Sequence, residues 1–476
     1  MKRVIAFILF FTVIISMMPL SAQKTVDKNI VAGLWLGNLD AGGVTLRIVY
    51  NIKINDKDSL IASMDSPDQG ASNIPLGRVF ARNDSLIILA PLLMGNYKGS
   101  IKSDTLIEGT WTQRGNKYPM NIRRISRPVA NIRPQEPKPP FPYSTEEVIF
   151  PNKKFDIFLA GTLSIPSGNG PFPAVILITG SGPQNRDEAV MGHRPFLVIA
   201  DWLTRNGIAV LRYDDRGVGK SQGNYATATT GDLATDAESA FLYLKNNQKI
   251  NPNAIGLMGH SEGGLIAPMV ASAEPDIAFI VSLSGPGVDG EQIILRQAAD
   301  IGRLSGLSEE KIQEAHDINK ALYAVVKSEK DDQKAEALVL DTYRKMLTDL
   351  KLSDDQVETA VSKLQREFGA RVYPWFRYFI STDAADYWKK VKCPVLALNG
   401  EKDLQVSADV NLPAIEAALR SSGNNNVKTV RLPGLNHLYQ HCTTGLPSEY
   451  NKIEETFSPE ALKIISDWIF GLKLSR

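Results

Sequence analysis

The sequence predicts an α/β fold: a mostly parallel sheet with a helical cap inserted in it, preceded by a small all-β domain. Three observations predict it. Residues 30–126 carry short strand candidates at regular spacing, with apolar and polar residues alternating in period two. After a proline-rich stretch at 127–143, apolar strand candidates alternate with helical segments, the pattern of a parallel sheet covered on both faces. That alternation breaks over 287–390, where the chain is helical and charged, and then resumes.

A chain of 476 residues has room for two to three domains. It carries 53 Lys and Arg against 52 Asp and Glu, so nothing points to nucleic acid or another strongly charged partner. Residues 1–22 read as a secretion signal: Lys2 and Arg3, an apolar run at 4–18, then the small-residue cleavage site Leu20-Ser21-Ala22. The rival reading is a membrane anchor, for which the run is short. The expectation is an exported protein, periplasmic or extracellular, with no stable membrane anchor once the signal is removed. Cys393 and Cys442 are either a disulfide or two free thiols.

Within the first domain, Leu46, Ile48, Tyr50, Ile52 and Ile54 alternate with Thr45, Arg47, Asn51 and Lys53. Strand candidates at 60–63, 77–81, 85–89, 97–101 and 105–113 follow, with turn signals at Asn83-Asp84 and Ser103-Asp104. A small antiparallel barrel or sandwich is expected. Gly33-Leu34-Trp35 and Gly109-Thr110-Trp111 resemble the strand-start motif of lipocalin-like barrels; the plainer reading has both tryptophans plugging the core. Six prolines, from Pro128 to Pro142, make 127–143 a stiff extended connector and the domain boundary.

The second domain, 144–476, opens with a hairpin around Pro151-Asn152. Strands are expected at 174–178, 208–212, 254–258, 278–283, 395–398 and 427–432. Helices are expected at 196–206, 230–246, 264–273, 412–419 and 458–472. Leu233, Ala237, Ala240, Phe241 and Leu244 share one face of the second helix. In the cap, Ser308-Glu309-Glu310 and Ser353-Asp354-Asp355 are helix starts.

The chemistry-bearing motif is Gly259-His260-Ser261-Glu262-Gly263, placed between a strand and a helix. Gly-x-Ser-x-Gly is the spacing of a nucleophile elbow, whose small residues let strand and helix approach while the serine sits on a strained turn. Acyl transfer also needs a base, an acid to orient it, and main-chain donors for the oxyanion. In an open parallel sheet these groups belong at the carboxyl ends of strands. Asp403 follows strand 395–398, and His437 follows strand 427–432. The runs Thr179-Gly180-Ser181-Gly182-Pro183-Gln184 and Arg212-Tyr213-Asp214-Asp215-Arg216-Gly217-Val218-Gly219-Lys220-Ser221 follow two earlier strands.

In this order of motifs, 144–476 resembles the α/β-hydrolase superfamily, and in particular exported bacterial serine esterases with a β-rich N-terminal domain and a helical cap. The resemblance implies Ser261 as nucleophile, His437 as base and Asp403 as its orienter. It implies oxyanion donors from the Glu262 N–H and from the Gly180-Ser181-Gly182 turn, with Ser181 preferred and Gly182 the fallback. His441 is the alternative base and Glu401 the alternative acid. His260 reads as packing, His193 as a loop residue and His316 as a cap-helix residue. Asp215 and Arg216 read as an ion pair locking their turn. Trp375 and Phe376, in an aromatic cluster, either line a substrate pocket or pack the cap.

The expected activity is hydrolysis of a small-molecule carboxylic ester through an acyl-enzyme on Ser261, with no metal or organic cofactor required. The same triad serves an aminopeptidase-like serine peptidase or a thioesterase. A non-catalytic ligand-binding or scaffold protein is the alternative of another class. Acyl and alcohol specificity, the role of the β domain and the oligomeric state are not legible in the sequence.

Overall fold

The computed structural model describes residues 27–40, 45–69, 71–82, 84–127, 133–367, 369 and 373–472. The expected signal, 1–22, lies outside them. The chain divides into two compact units, Met1–Ala130 and Asn131–Arg476.

The first unit opens with the short helix α1 (Lys28–Val31). Ten strands follow: β1 (Gly33–Asp40), β2 (Thr45–Ile54), β3 (Leu60–Ser66), β4 (Ala71–Pro75), β5 (Val79–Arg82), β6 (Ser85–Ala90), β7 (Gly95–Ile101), β8 (Leu106–Gln113), β9 (Asn116–Pro119) and β10 (Ile122–Ile125). They form one antiparallel sheet in the order β4-β3-β2-β1-β10-β8-β7-β6-β5, with β9 on β8. This is a half-barrel around a single core rather than a sandwich of two sheets. Trp35, Tyr50, Tyr97 and Trp111 fill that core. Trp35 donates its indole N–H to the Val31 carbonyl at 2.8 Å, and the Arg124 guanidinium covers its ring. Both tryptophans therefore plug the sheet, as the packing reading has it.

The second unit contains β11 (Ser144–Asn152), β12 (Ile157–Ile165), β13 (Phe172–Ile178), α2 (Pro195–Arg205), β14 (Ala209–Tyr213), α3 (Thr230–Lys245), β15 (Ile250–His260), α4 (Gly263–Ala273) and β16 (Phe279–Leu283). The insertion follows as α5 (Gly290–Leu304), α6 (Glu309–Ser328), α7 (Asp332–Asp349), α8 (Asp354–Glu367), α9 (Tyr373–Ile380) and α10 (Ala385–Trp388). The sheet is then completed by β17 (Val395–Gly400), α11 (Ala408–Ser421), β18 (Val427–Leu432) and α12 (Pro459–Gly471). The order is β11-β12-β14-β13-β15-β16-β17-β18. The β11–β12 hairpin is antiparallel, β12 runs antiparallel to β14, and the remaining pairs are parallel.

Burial on both faces explains the apolar strands. In β13, Ala174, Ile176 and Ile178 enter the core beneath α3 and α4, while Val175 and Leu177 enter the opposite core with α2 and α12. Helix starts obey their caps: Thr229 and Asp232 close a capping box on α3, and Ser308 accepts from the Lys311 N–H on α6.

Residues 133–143 of the proline-rich connector are fastened to the second unit. Arg133 donates to the carbonyls of Gly192 and Asn451, Gln135 to that of Phe457, and Tyr143 to Asp201. Prolines cannot build a ladder of their own, so the polar residues between them supply the attachment. Cys393 and Cys442 are both free thiols. Burial pushes the Cys393 thiol up to about 12, so it stays protonated and unreactive at neutral pH. Among the described residues, no helix is long and apolar enough to cross a membrane.

Candidate active site

β15 ends at His260, and Ser261 turns the chain into α4 with φ +52°. That left-handed value is costly for a residue with a Cβ, and the surrounding backbone enforces it. The Ser261 N–H donates to the Leu283 carbonyl at the tip of neighbouring β16. A Cβ on Gly259 would lie 1.9 Å from the Gly263 carbonyl oxygen, and one on Gly263 would lie 2.2 Å from that of Ile178. Both glycines of the motif are thus demanded by close backbone approach.

The same edge of the sheet carries the other candidates. His437, past β18, places Nδ1 2.8 Å from Asp403 Oδ2, past β17, and both side chains are buried. Asp403 also accepts from the Gln405 and Val406 N–H groups and from Asn399 Nδ2. Burial alone would raise its carboxyl; His437 and the Val406 N–H outweigh burial and hold it below the usual carboxylate range. A carboxylate only accepts, so His437 Nδ1 carries the proton and Nε2 is left as a base. Among the described residues the Ser261 hydroxyl makes no hydrogen bond. Serine–histidine bonds in ligand-free sites often form only once substrate is bound.

The alternatives lie elsewhere. His441 is exposed and pairs with Glu455, and Glu401 accepts from the Gly434 N–H. His193 is buried between Thr456 and the Tyr450 carbonyl, and burial pushes its imidazole down to about 4. His316 sits on the surface of α6 beside Asp317.

Past β13, the turn at 180–182 lies against the elbow: a Cβ on Gly180 would approach Ser261 Cβ to 3.2 Å. Its N–H groups are not equivalent. Gly180 donates to Glu188 Oε1 at 2.7 Å and Gly182 to the Tyr225 hydroxyl at 2.8 Å. The N–H groups of Ser181 and Glu262 have no acceptor among the described residues. The Gly182 fallback is therefore occupied.

A cavity of about 640 Å³ opens beside this turn, lined by Ser181, Gly182, Pro183, Gly217, Gly223, Asn224, Tyr225, Ala226 and Trp375. Trp375 reaches it from α9 and donates its indole N–H to Glu262 Oε1 at 2.8 Å, which ties the cap to the elbow. Phe376 does not line it. Consecutive residues on a helix point about 100° apart, and Phe376 packs edge-on against Tyr323 of α6, 5.2 Å between ring centres. Glu262 is buried; Oε1 also accepts from Thr230, and among the described residues Oε2 has no partner. Burial raises its carboxyl above the ordinary range despite those two donors.

The expected Asp215–Arg216 pair is not formed. Arg216 turns to Asp236 on α3 at 2.7 Å. Asp215 turns the other way and accepts from Thr179 and from the Gln184 N–H, bracing the turn that carries Ser181. Burial outweighs those bonds, Asp236 and Glu262 add repulsion, and the Asp215 carboxyl is pushed up to about 8. A carboxyl raised on folding binds its proton more tightly in the native state, so stability declines as pH rises from the ordinary carboxylate range through about 8. Thermal unfolding followed across that interval is expected to show a shallower decline for Asp215→Asn than for the wild type.

Comparisons with known proteins find partial matches to this chain. A family profile described as serine aminopeptidase, S33 matches residues 194–352, which include Ser261 and stop short of Asp403 and His437. Esterase EstD of Thermotoga maritima is 27% identical over 281 residues, 59% of this chain and 58% of its own length. The uncharacterized protein YfhR of Escherichia coli is 33% identical over 127 residues, 26% of this chain and 41% of its own. The chain thus spans about 58% of EstD, the longer of these two overlaps. The solved structure of the Pyrococcus furiosus esterase Pf2001 aligns at a TM-score of 0.40 and 18% identity, covering 69% of this chain and 93% of that one. The second unit has the α/β-hydrolase fold. Within that fold, Glu188, Tyr225 and the Glu262–Trp375 link were not marked by any sequence signal; they are joined to the elbow only by the way distant loops fold back.

Proposed function

We propose that this protein is an exported serine hydrolase that cleaves uncharged carboxylic esters. The observation that carries the reading is the meeting, at one sheet edge, of a strained serine, a histidine paired to a buried carboxylate, and two unengaged N–H groups. His437 Nε2 takes the Ser261 proton as Oγ attacks the ester carbonyl carbon. The Ser181 and Glu262 N–H groups receive the oxyanion. Collapse breaks the bond to the leaving alcohol, which takes the proton from His437. Water, deprotonated by the same imidazole, then releases the acid and restores Ser261.

The cavity favours an ester over an aminoacyl substrate. None of its lining residues carries a charged side chain. The carboxyl that reaches its wall, Glu262, is buried, bonded to Trp375 and raised toward its neutral form. A free amino terminus would find no counter-ion there, and burying an unpaired ammonium is costly. EstD, named as an esterase, supports the same reading. The signal-like residues 1–22 support export to the periplasm or the medium.

The test is labelling with a fluorophosphonate together with a panel of neutral aryl esters, thioesters and α-ammonium amides. Stoichiometric labelling at Ser261 and fastest turnover of neutral esters are expected. Ser261→Ala is expected to abolish labelling and to lower kcat on the order of 10⁶-fold. A retained rate in that variant refutes the assignment, and preference for the ammonium amides would favour a peptidase.

A further inference from the structure

We propose that Glu188 and His260 form a buried pair, joined by a shared proton, that positions the oxyanion turn and the base-bearing loop against each other. This rests on reading Ser261 and His437 as the reacting residues. It assigns a role to a histidine that the sequence presents only as packing beside the elbow.

His260 is the last residue of β15, and its ring has a partner at each nitrogen. Nδ1 lies 2.9 Å from Glu188 Oε1, and Nε2 lies 3.0 Å from the main-chain oxygen of His437. A carbonyl oxygen can only accept, so Nε2 carries a proton. Glu188 Oε1 already accepts the Gly180 N–H, so the bond to Nδ1 requires a second proton between ring and carboxyl. One ring thus links three loops: the turn after β13 through Glu188 and Gly180, the elbow through its own backbone, and the loop after β18 through His437. The rings of His260 and His437 lie in contact, with centres 4.7 Å apart and a tilt of 46° between their planes.

The electrostatics of the surroundings agree with the geometry. His260 and Glu188 side chains are 8% and 4% exposed. Burial alone would drive the imidazole to its neutral form. The Glu188 carboxylate, the His437 carbonyl and the nearby Asp403 outweigh burial and hold its pKa above the ordinary histidine value. Tyr439 closes the remaining side with its ring edge-on, 6.5 Å between centres. Neither Glu188 nor His260 touches the place where the ester carbonyl would sit. Both act through Gly180 and His437, so they are positioning residues.

The experiment uses the full-length protein with ¹⁵N-labelled histidine. At neutral pH the His260 ring, assigned by its loss in His260→Gln, is expected to show both ring N–H protons in slow exchange. In Glu188→Gln the Nδ1 proton is expected to disappear. For the same variant, kcat per fluorophosphonate-titrated site on p-nitrophenyl acetate is expected to fall on the order of 10- to 100-fold, with KM little changed. Its alkaline limb is expected to move to lower pH, because without the carboxylate burial dominates the His260 equilibrium. A wild-type ring carrying one proton at neutral pH overturns the proposal even if Glu188→Gln does not fold. So does a kcat per site within about twofold of wild type in both variants, with an unmoved alkaline limb. Failure of the wild type to label or to turn over any ester is a different result: it removes the hydrolase reading, while the ring-proton measurement still reports on the pair.

Discussion

His437→Ala is expected to lower kcat for ester hydrolysis on the order of 10⁶-fold, and Asp403→Asn on the order of 10⁴-fold, with fold and labelling-site geometry retained. The two magnitudes differ because the residues do different work. Without His437 nothing at the sheet edge accepts the Ser261 proton; His441, the other histidine of that loop, is exposed and engaged by Glu455. Without the Asp403 charge, His437 keeps its place but loses the partner that fixes the proton on Nδ1. The asparagine would also present an amide N–H₂ either to that N–H or to the donors from Gln405 and Val406. The ring would then favour the tautomer whose Nε2 is protonated and cannot act as a base. Single-turnover kinetics with an activated ester check both values. An unaltered acylation rate in Asp403→Asn would show that the carboxylate is not the orienter.

Much of this arrangement was legible because it is carried by local rules. A strand is expected at 427–432, and β18 spans those residues. Fully buried strands such as β13 announce themselves by unbroken apolar runs, and helices such as α6 by their caps. What escaped was every relation that depends on a side chain choosing between neighbours. Asp215 and Arg216 are adjacent and opposite in charge, yet their side chains diverge, one to Thr179 and the other to Asp236. Trp375 and Phe376 are adjacent aromatics on one helix, yet only Trp375 reaches the cavity. His260 reads as packing in the sequence, yet its partners come from residues 72 and 177 positions away. Sequence periodicity places elements, whereas these choices depend on burial and hydrogen-bond supply after the elements have packed.

The glycines of the elbow bear the second large effect. Gly259→Val and Gly263→Ala are each expected to cost more than about 3 kcal/mol of stability, beyond the usual range for inserting atoms into a packed interior. The reason is what the new Cβ would meet. At Gly263 it would strike the Ile178 carbonyl oxygen at 2.2 Å and that of Thr179 at 2.7 Å, at the end of the central strand β13. At Gly259 it would strike the Gly263 backbone at 1.9 Å. Neither obstacle is the movable end of a side chain, and both belong to the strand–helix contact that sets the Ser261 dihedral. Relief by shifting α4 away from β13 would carry the Glu262 N–H with it and separate it from the Ser181 N–H. Calorimetry and fluorophosphonate labelling therefore should fall together in these variants. Gly471→Ala is the control: that residue ends α12, and nothing lies within 4 Å of its added Cβ. Its stability is expected to stay within about 0.5 kcal/mol of wild type. If Gly263→Ala melted like Gly471→Ala and still labelled fully, the close approach of β13 and α4 would not be what holds the serine in its left-handed turn.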